Sequence, residues 1–140
     1  MNNEQQTTMR YYDQDTRENL KALVGQTVTA IEREPSGEGV LLRLHLADGT
    51  TMAFIHEQDC CERVSLDDVE GRDEDIIGSP ITLAEEVSET PAEPADPSDK
   101  KYGTFTWTFY RLATIKGYMT IKFYGSSNGY YSESVDFYRE

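Results

Sequence analysis

Val40-Leu41-Leu42-Arg43-Leu44-His45-Leu46, then Ala47-Asp48-Gly49-Thr50, then Thr51-Met52-Ala53-Phe54-Ile55-His56: this run decides the fold. Leu42, Leu44 and Leu46 alternate with Leu41, Arg43 and His45, the period-two pattern of a strand that turns one face to a core. Asp48-Gly49 is a strong hairpin signal, because a tight two-residue turn needs positive φ at its centre. Thr51 to His56 then returns as the partner strand. Met52, Phe54 and His56 fall on one of its faces, Ala53 and Ile55 on the other.

Working outward, Val28 to Glu32 reads as a strand and Pro35 to Gly39 as a turn. Upstream, Asp15 or Thr16 can cap a short helix, with Leu20, Leu23 and Val24 at helical spacing and Gly25 as its stop. Residues 1–12 read as a loose arm, with Tyr11 and Tyr12 available to dock on the domain. Downstream, Val64 to Leu66 suits a short strand and Asp67 to Gly71 a turn. Ile76 to Ile81, broken by Gly78 and Pro80, suits a tucked loop. Leu83 to Val87 suits a strand or a helical turn.

Residues 89–101 carry three prolines, several acids and no large apolar side chain, which predicts an extended or disordered connector. The last third alternates again. Thr104–Ile115 places Phe105, Trp107 and Phe109 on one face. Tyr118–Tyr124 turns Met119, Ile121 and Phe123 inward, and Tyr130–Tyr138 turns Val135 and Phe137 inward. These three stretches predict an antiparallel meander. The expected fold is α+β and β-rich: one short N-terminal helix and mainly antiparallel strands in a sandwich or half-open barrel, forming a single domain over residues 13–140.

A chain of 140 residues buries a core without metal or disulfide staples. No apolar run approaches the roughly 18 residues of a membrane-spanning helix, and the polar N-terminus lacks a signal-peptide pattern. Cytoplasmic location is expected. The net charge of −13 is uneven. Residues 57–99 hold fifteen acids against two bases, whereas residues 100–140 carry net +3. Such a field repels phosphate backbones and anionic lipid, so direct nucleic-acid or membrane binding is not expected. It suits solubility or a basic partner. There is no Gly-rich phosphate loop, dinucleotide fingerprint or basic stripe, and no cofactor is expected.

His56-Glu57-Gln58-Asp59-Cys60-Cys61-Glu62 concentrates an imidazole, two thiols, an amide and three carboxylates at the end of the hairpin. His56, Asp59, Cys60 and Cys61 are possible metal ligands, yet zinc sites use separated cysteine pairs that can converge. A Cys–His nucleophile with an acidic orienter is present in composition, but triad members usually come from distant parts of a chain, and nearby acids disfavour thiolate. The structural alternative has one cysteine in the core and His56 and Asp59 fixing the strand end. Adjacent cysteines in a strand point to opposite faces, so no Cys60–Cys61 bridge is expected. The second candidate is the loop Ser126 to Glu133, where Asn128, Tyr130 and Tyr131 suit recognition, rigid aromatics giving contact area at low entropic cost.

Three phrases together resemble an uncharacterised family of small phage and bacterial proteins. They are His56 to Glu62; Gly78-Ser79-Pro80-Ile81 with Glu85-Glu86; and Trp107-Thr108-Phe109-Tyr110 through Lys116-Gly117 to Ser127-Asn128-Gly129-Tyr130-Tyr131-Ser132-Glu133. The resemblance spans roughly residues 25–138. It implies a phage or prophage accessory protein in the host cytoplasm and transfers no catalytic residue. The expected function is therefore non-enzymatic binding of a host protein or small ligand, possible as an acidic decoy. His56, Gln58, Asp59, Cys60, Cys61, Glu62, Asn128, Tyr130 and Tyr131 are the expected contact residues. The alternative is a metal-binding protein or small hydrolase centred on His56, Asp59, Cys60 and Cys61.

Overall fold

Alternation of buried and exposed side chains builds two four-stranded antiparallel sheets that face each other across one core. The computed structural model describes residues 18–33, 35, 39–89 and 93–140. After a 3₁₀ turn at Leu20–Leu23, the chain runs through β1 (Val28–Arg33), β2 (Val40–Leu46), β3 (Thr51–Ile55) and β4 (Arg63–Glu70). It continues through α1 (Asp73–Ile76), β5 (Leu83–Glu89), α2 (Pro97–Tyr102), β6 (Thr104–Thr114), β7 (Gly117–Ser127) and β8 (Asp136–Arg139). The first sheet has the order β1-β2-β3-β8 and the second the order β4-β7-β6-β5.

The central hairpin forms as its pattern dictates. Leu44 pairs with Met52 and Leu42 with Phe54. Gly49 takes φ +90°, and the Thr50 amide donates to the Asp48 carboxylate at 2.8 Å, closing the turn. Leu42, Leu44, Leu46, Met52 and Phe54 face the core. The second sheet answers with Tyr110, Leu112, Met119, Ile121 and Phe123. Phe54 sits among Tyr110, Phe123 and Phe137 with ring centroids 4.7, 5.6 and 4.8 Å away. Burial of one such ring is worth about 1.5–3 kcal/mol. Ala53 and Ile55, on the opposite face of β3, are buried too, in a smaller cluster with Val40 and Tyr138.

Several expectations are corrected. Among the described residues, a 3₁₀ turn at Leu20–Leu23 stands where the expected helix would end, capped by the Asn19 side chain, which accepts from the Lys21 amide. Asp15, Thr16, the arm at 1–12, and Tyr11 and Tyr12 lie outside the described residues, as does most of the turn after Pro35. Two further short helices, α1 and α2, are present. In α2, Asp96 caps the helix by accepting from the Ser98 amide, with Pro97 at the first position. Three prolines read as a breaker, yet Asp-Pro-Ser is also a helix start, since proline costs nothing where its N–H would be orphaned.

The expected meander does not form either. β6 and β7 pair along their whole length, but the last strand is only Asp136–Arg139 and joins β3 in the other sheet. Segment 128–135 crosses between the sheets, tied where the Tyr110 hydroxyl donates to the Val135 carbonyl at 3.2 Å. Phe105, Trp107 and Phe109 do share a face, but it is the outer one. Thr108, Tyr110, Leu112 and Thr114 are the buried set on β6. The outer aromatic face is partly covered by the segment before β6. The Trp107 indole donates to the Glu93 carbonyl at 3.3 Å and the Tyr124 hydroxyl to the Asp99 carboxylate at 2.6 Å.

Candidate functional site

β3 delivers His56 to one end of the sandwich. Its amide donates to the Gly39 carbonyl at 2.9 Å. Gly39 has φ +80°, and a Cβ there would lie 2.6 Å from the His56 carbonyl oxygen, so only glycine permits this approach. The His56 ring is 5% exposed, and each nitrogen meets an acceptor. Nδ1 lies 2.7 Å from the Ser134 carbonyl and Nε2 lies 2.8 Å from the Glu62 carboxylate.

Glu62 is the fixed point of the corner, its side chain fully buried. Its carboxylate also accepts from the Asp59 amide at 2.8 Å, the Cys60 amide at 2.9 Å and the Gln58 side-chain amide at 3.3 Å. Burial alone would raise its pKa. The Cys60 and Asp59 amides and the His56 ring overcome that cost and hold it down to about 2. Both His56 ring nitrogens are thus engaged inside the fold, one by the Ser134 carbonyl and one by the buried Glu62 carboxylate. The Gln58 amide additionally donates to the Cys60 and Glu62 carbonyls.

These bonds curl residues 57–62 into a bend, and that corrects the expectation for the cysteines. Cys60 and Cys61 are disulfide-bonded to each other. Neither residue lies in a strand, so the two side chains do not alternate across a sheet; the bend set by Glu62 puts both sulfurs on one side. Both residues are exposed.

The loop after β7 is held by a second carboxylate. Glu133 accepts from the hydroxyls of Thr104, Thr106 and Ser127. A Cβ on Gly125 would lie 2.7 Å from the Glu133 carbonyl oxygen, so glycine lets the loop lie flush on β7. Asn128 accepts the Tyr130 amide at 3.0 Å. Tyr130 is 82% exposed, and its ring meets Tyr131 edge-on at 5.0 Å.

The two candidate stretches therefore meet. The Ser134 carbonyl reaches His56, and an open groove of about 230 Å³ is lined by Cys61, Arg63, Ser98, Asp99, Tyr102, Gly103, Ser126, Ser127 and Asn128. Of the expected contact residues, Cys61 and Asn128 line it. His56, Glu62, Gln58 and Asp59 frame the bend behind it, and Tyr130 and Tyr131 stand outside it. Arg63, Asp99 and the 72% exposed Tyr102 were not singled out in the sequence, although the Asp96-Pro97 helix start could have pointed to the last two. Beside the groove, the Asp96 carboxyl is held below its ordinary range first by the Ser98 amide and hydroxyl and then by the charge of Arg63. A larger groove of about 660 Å³ lies between Leu20, Ala84, Glu86, Tyr110 and Phe137. Among the described residues, no group of three or more His, Cys, Asp or Glu side chains is arranged to hold a metal ion. No helix there is long and apolar enough to cross a membrane.

The arrangement defines a small two-sheet antiparallel β protein whose polar loops converge on one open groove. The chain belongs to a family described as a domain of unknown function, DUF7448, whose model matches residues 21–137. No curated relative and no solved structure matches the chain.

Proposed function

We propose that this chain is a non-enzymatic binding protein, of phage or prophage type and acting in the host cytoplasm, that engages a host protein or small ligand through the groove beside Cys61 and Asn128. One observation carries the reading: two polar stretches far apart in sequence are brought to the same open groove, where an exposed tyrosine and an exposed guanidinium stand. Fixed polar groups beside an aromatic ring suit recognition. His56, by contrast, engages both nitrogens inside the fold, which favours binding over a hydrolase or metal centre at that residue. The phage assignment rests on the resemblance of the three sequence phrases.

The test compares wild type with an Arg63→Ala/Asn128→Ala double variant, using native mass spectrometry of gently purified untagged protein and capture from a bacterial lysate at low and high salt. A bound species lost in the variant supports the groove. Equal retention by both chains refutes it. An acidic decoy that does not use the groove would instead show capture that weakens steeply with salt and is insensitive to the double variant.

A further inference from the structure

We propose that Cys60–Cys61 is a reversible dithiol–disulfide site, a redox modification point that exchanges with small-molecule thiol–disulfide couples of the glutathione type. Three observations combine. Both cysteines are exposed and reachable by a small reagent. The chain has no third cysteine, so the pair has no competing partner within it. The bend that brings the sulfurs together is fixed by bonds that involve no sulfur: Glu62 accepts the Asp59 and Cys60 amides, and the Gln58 amide donates to the Cys60 and Glu62 carbonyls. The same scaffold therefore holds the two thiols side by side after reduction.

In the oxidising direction, a thiolate of one cysteine attacks a sulfur of the small disulfide, forming a mixed disulfide and expelling one small thiolate, which takes a proton from solvent. The neighbouring cysteine, as thiolate, then attacks the protein sulfur of that mixed disulfide and expels the second small thiol. Two electrons and two protons leave the protein, and one small disulfide becomes two thiols. The second attack is intramolecular between adjacent residues, so the mixed disulfide does not accumulate. Cys61 lines the groove, so the exchange alters one of its walls. The inference is independent of the binding reading, because the chemistry is read at the sulfurs whether or not the groove takes a ligand.

The full chain is equilibrated in buffers of graded reduced and oxidised glutathione, quenched in acid, alkylated under denaturing conditions and weighed intact. The expected result is two species only, unalkylated and doubly alkylated, that interconvert completely through one midpoint. A chain that at every ratio carries two alkyl groups, or two glutathione adducts, overturns the proposal. Gln58→Ala loosens the bend while leaving the His56–Glu62 contact and the Asp59 and Cys60 amide bonds in place, and is expected to move the midpoint toward more oxidised buffer by about threefold or more, as lost preorganisation requires. An unchanged midpoint in that variant shows that the bend does not hold the thiols together and overturns the proposal. Cys61→Ser cannot close the ring and is expected to stop at one glutathione adduct on Cys60; absence of any adduct overturns the exchange route.

Discussion

Glu62 and Glu133 each hold a loop with one carboxylate, but by different means. Glu62 is fully buried and gathers backbone amides and the His56 ring. Glu133 is only half-buried and gathers three side-chain hydroxyls from β6 and β7. Taking a charge out of water is tolerable only with full compensation, and removing one partner of such a pair exposes the whole penalty. A half-buried carboxylate bonded to neutral hydroxyls keeps access to water and has less to lose. The corner at His56 is therefore expected to be the rigid anchor, and the loop at Asn128 the adjustable wall.

Breaking the buried side of this comparison gives the largest effect. Glu62→Ala strands the buried His56 Nε2 and the Asp59 and Cys60 amides, and is expected to cost about 3–5 kcal/mol in urea unfolding. The same group sets an acid limit. Its folded pKa of about 2 lies below the ordinary 4.5, so its contribution is complete above about pH 4.5 and is lost as pH falls through 2. Stability measured against pH is expected to decline across that window, and Glu62→Gln to flatten this part of the curve. Next comes Gly39→Ala, which forces a side chain onto the His56 carbonyl at positive φ, with an expected loss of about 1–3 kcal/mol in the same measurement. Glu133→Ala is expected to cost about 1–2 kcal/mol and to speed hydrogen exchange of the amides at 128–134, leaving those at 57–62 unchanged. If both loops exchange faster together, the two anchors are one unit and the contrast fails. Tyr124→Phe is the mildest. It removes the bond to Asp99 and is expected to cost about 0.5–1.5 kcal/mol, with α2 loosening in limited proteolysis. Burial first, and the Asp99 bond second, push the Tyr124 hydroxyl up to about 12, so it remains a donor throughout the neutral range.

What the sequence made legible follows from which interactions are local. The β2–β3 hairpin was readable because its alternation and its Asp48-Gly49 turn lie within one short window. β7 was readable for the same reason, its inward Met119, Ile121 and Phe123 all being buried. The destination of the last strand was not readable, since choosing between β7 and β3 depends on where the 128–135 crossing lies, and alternation carries no address. The Phe105, Trp107 and Phe109 stripe shows the same limit: period two reveals a face without saying whether that face is inner. At the site, the residue types of the His56–Glu62 corner were visible, but the roles were not. Glu62 orders the corner through backbone amides, which every sequence possesses, and the cysteine pairing depends on a bend that only those bonds create. Arg63 and Tyr102 were missed because the groove they share is assembled from three separated segments.

The crossing of the last strand also has a consequence in time. β3 must wait for a partner roughly eighty residues later in the chain, and closing so long a loop costs entropy before any contact rewards it. The β2–β3 and β6–β7 hairpins can form early from near neighbours, while the edge of β3 stays unpaired until residues 136–139 arrive. During that interval an open apolar edge is available to other chains. Refolding is accordingly expected to be slow and concentration-sensitive, and the His56–Ser134 contact, which lies on the returning segment, to be among the last to form.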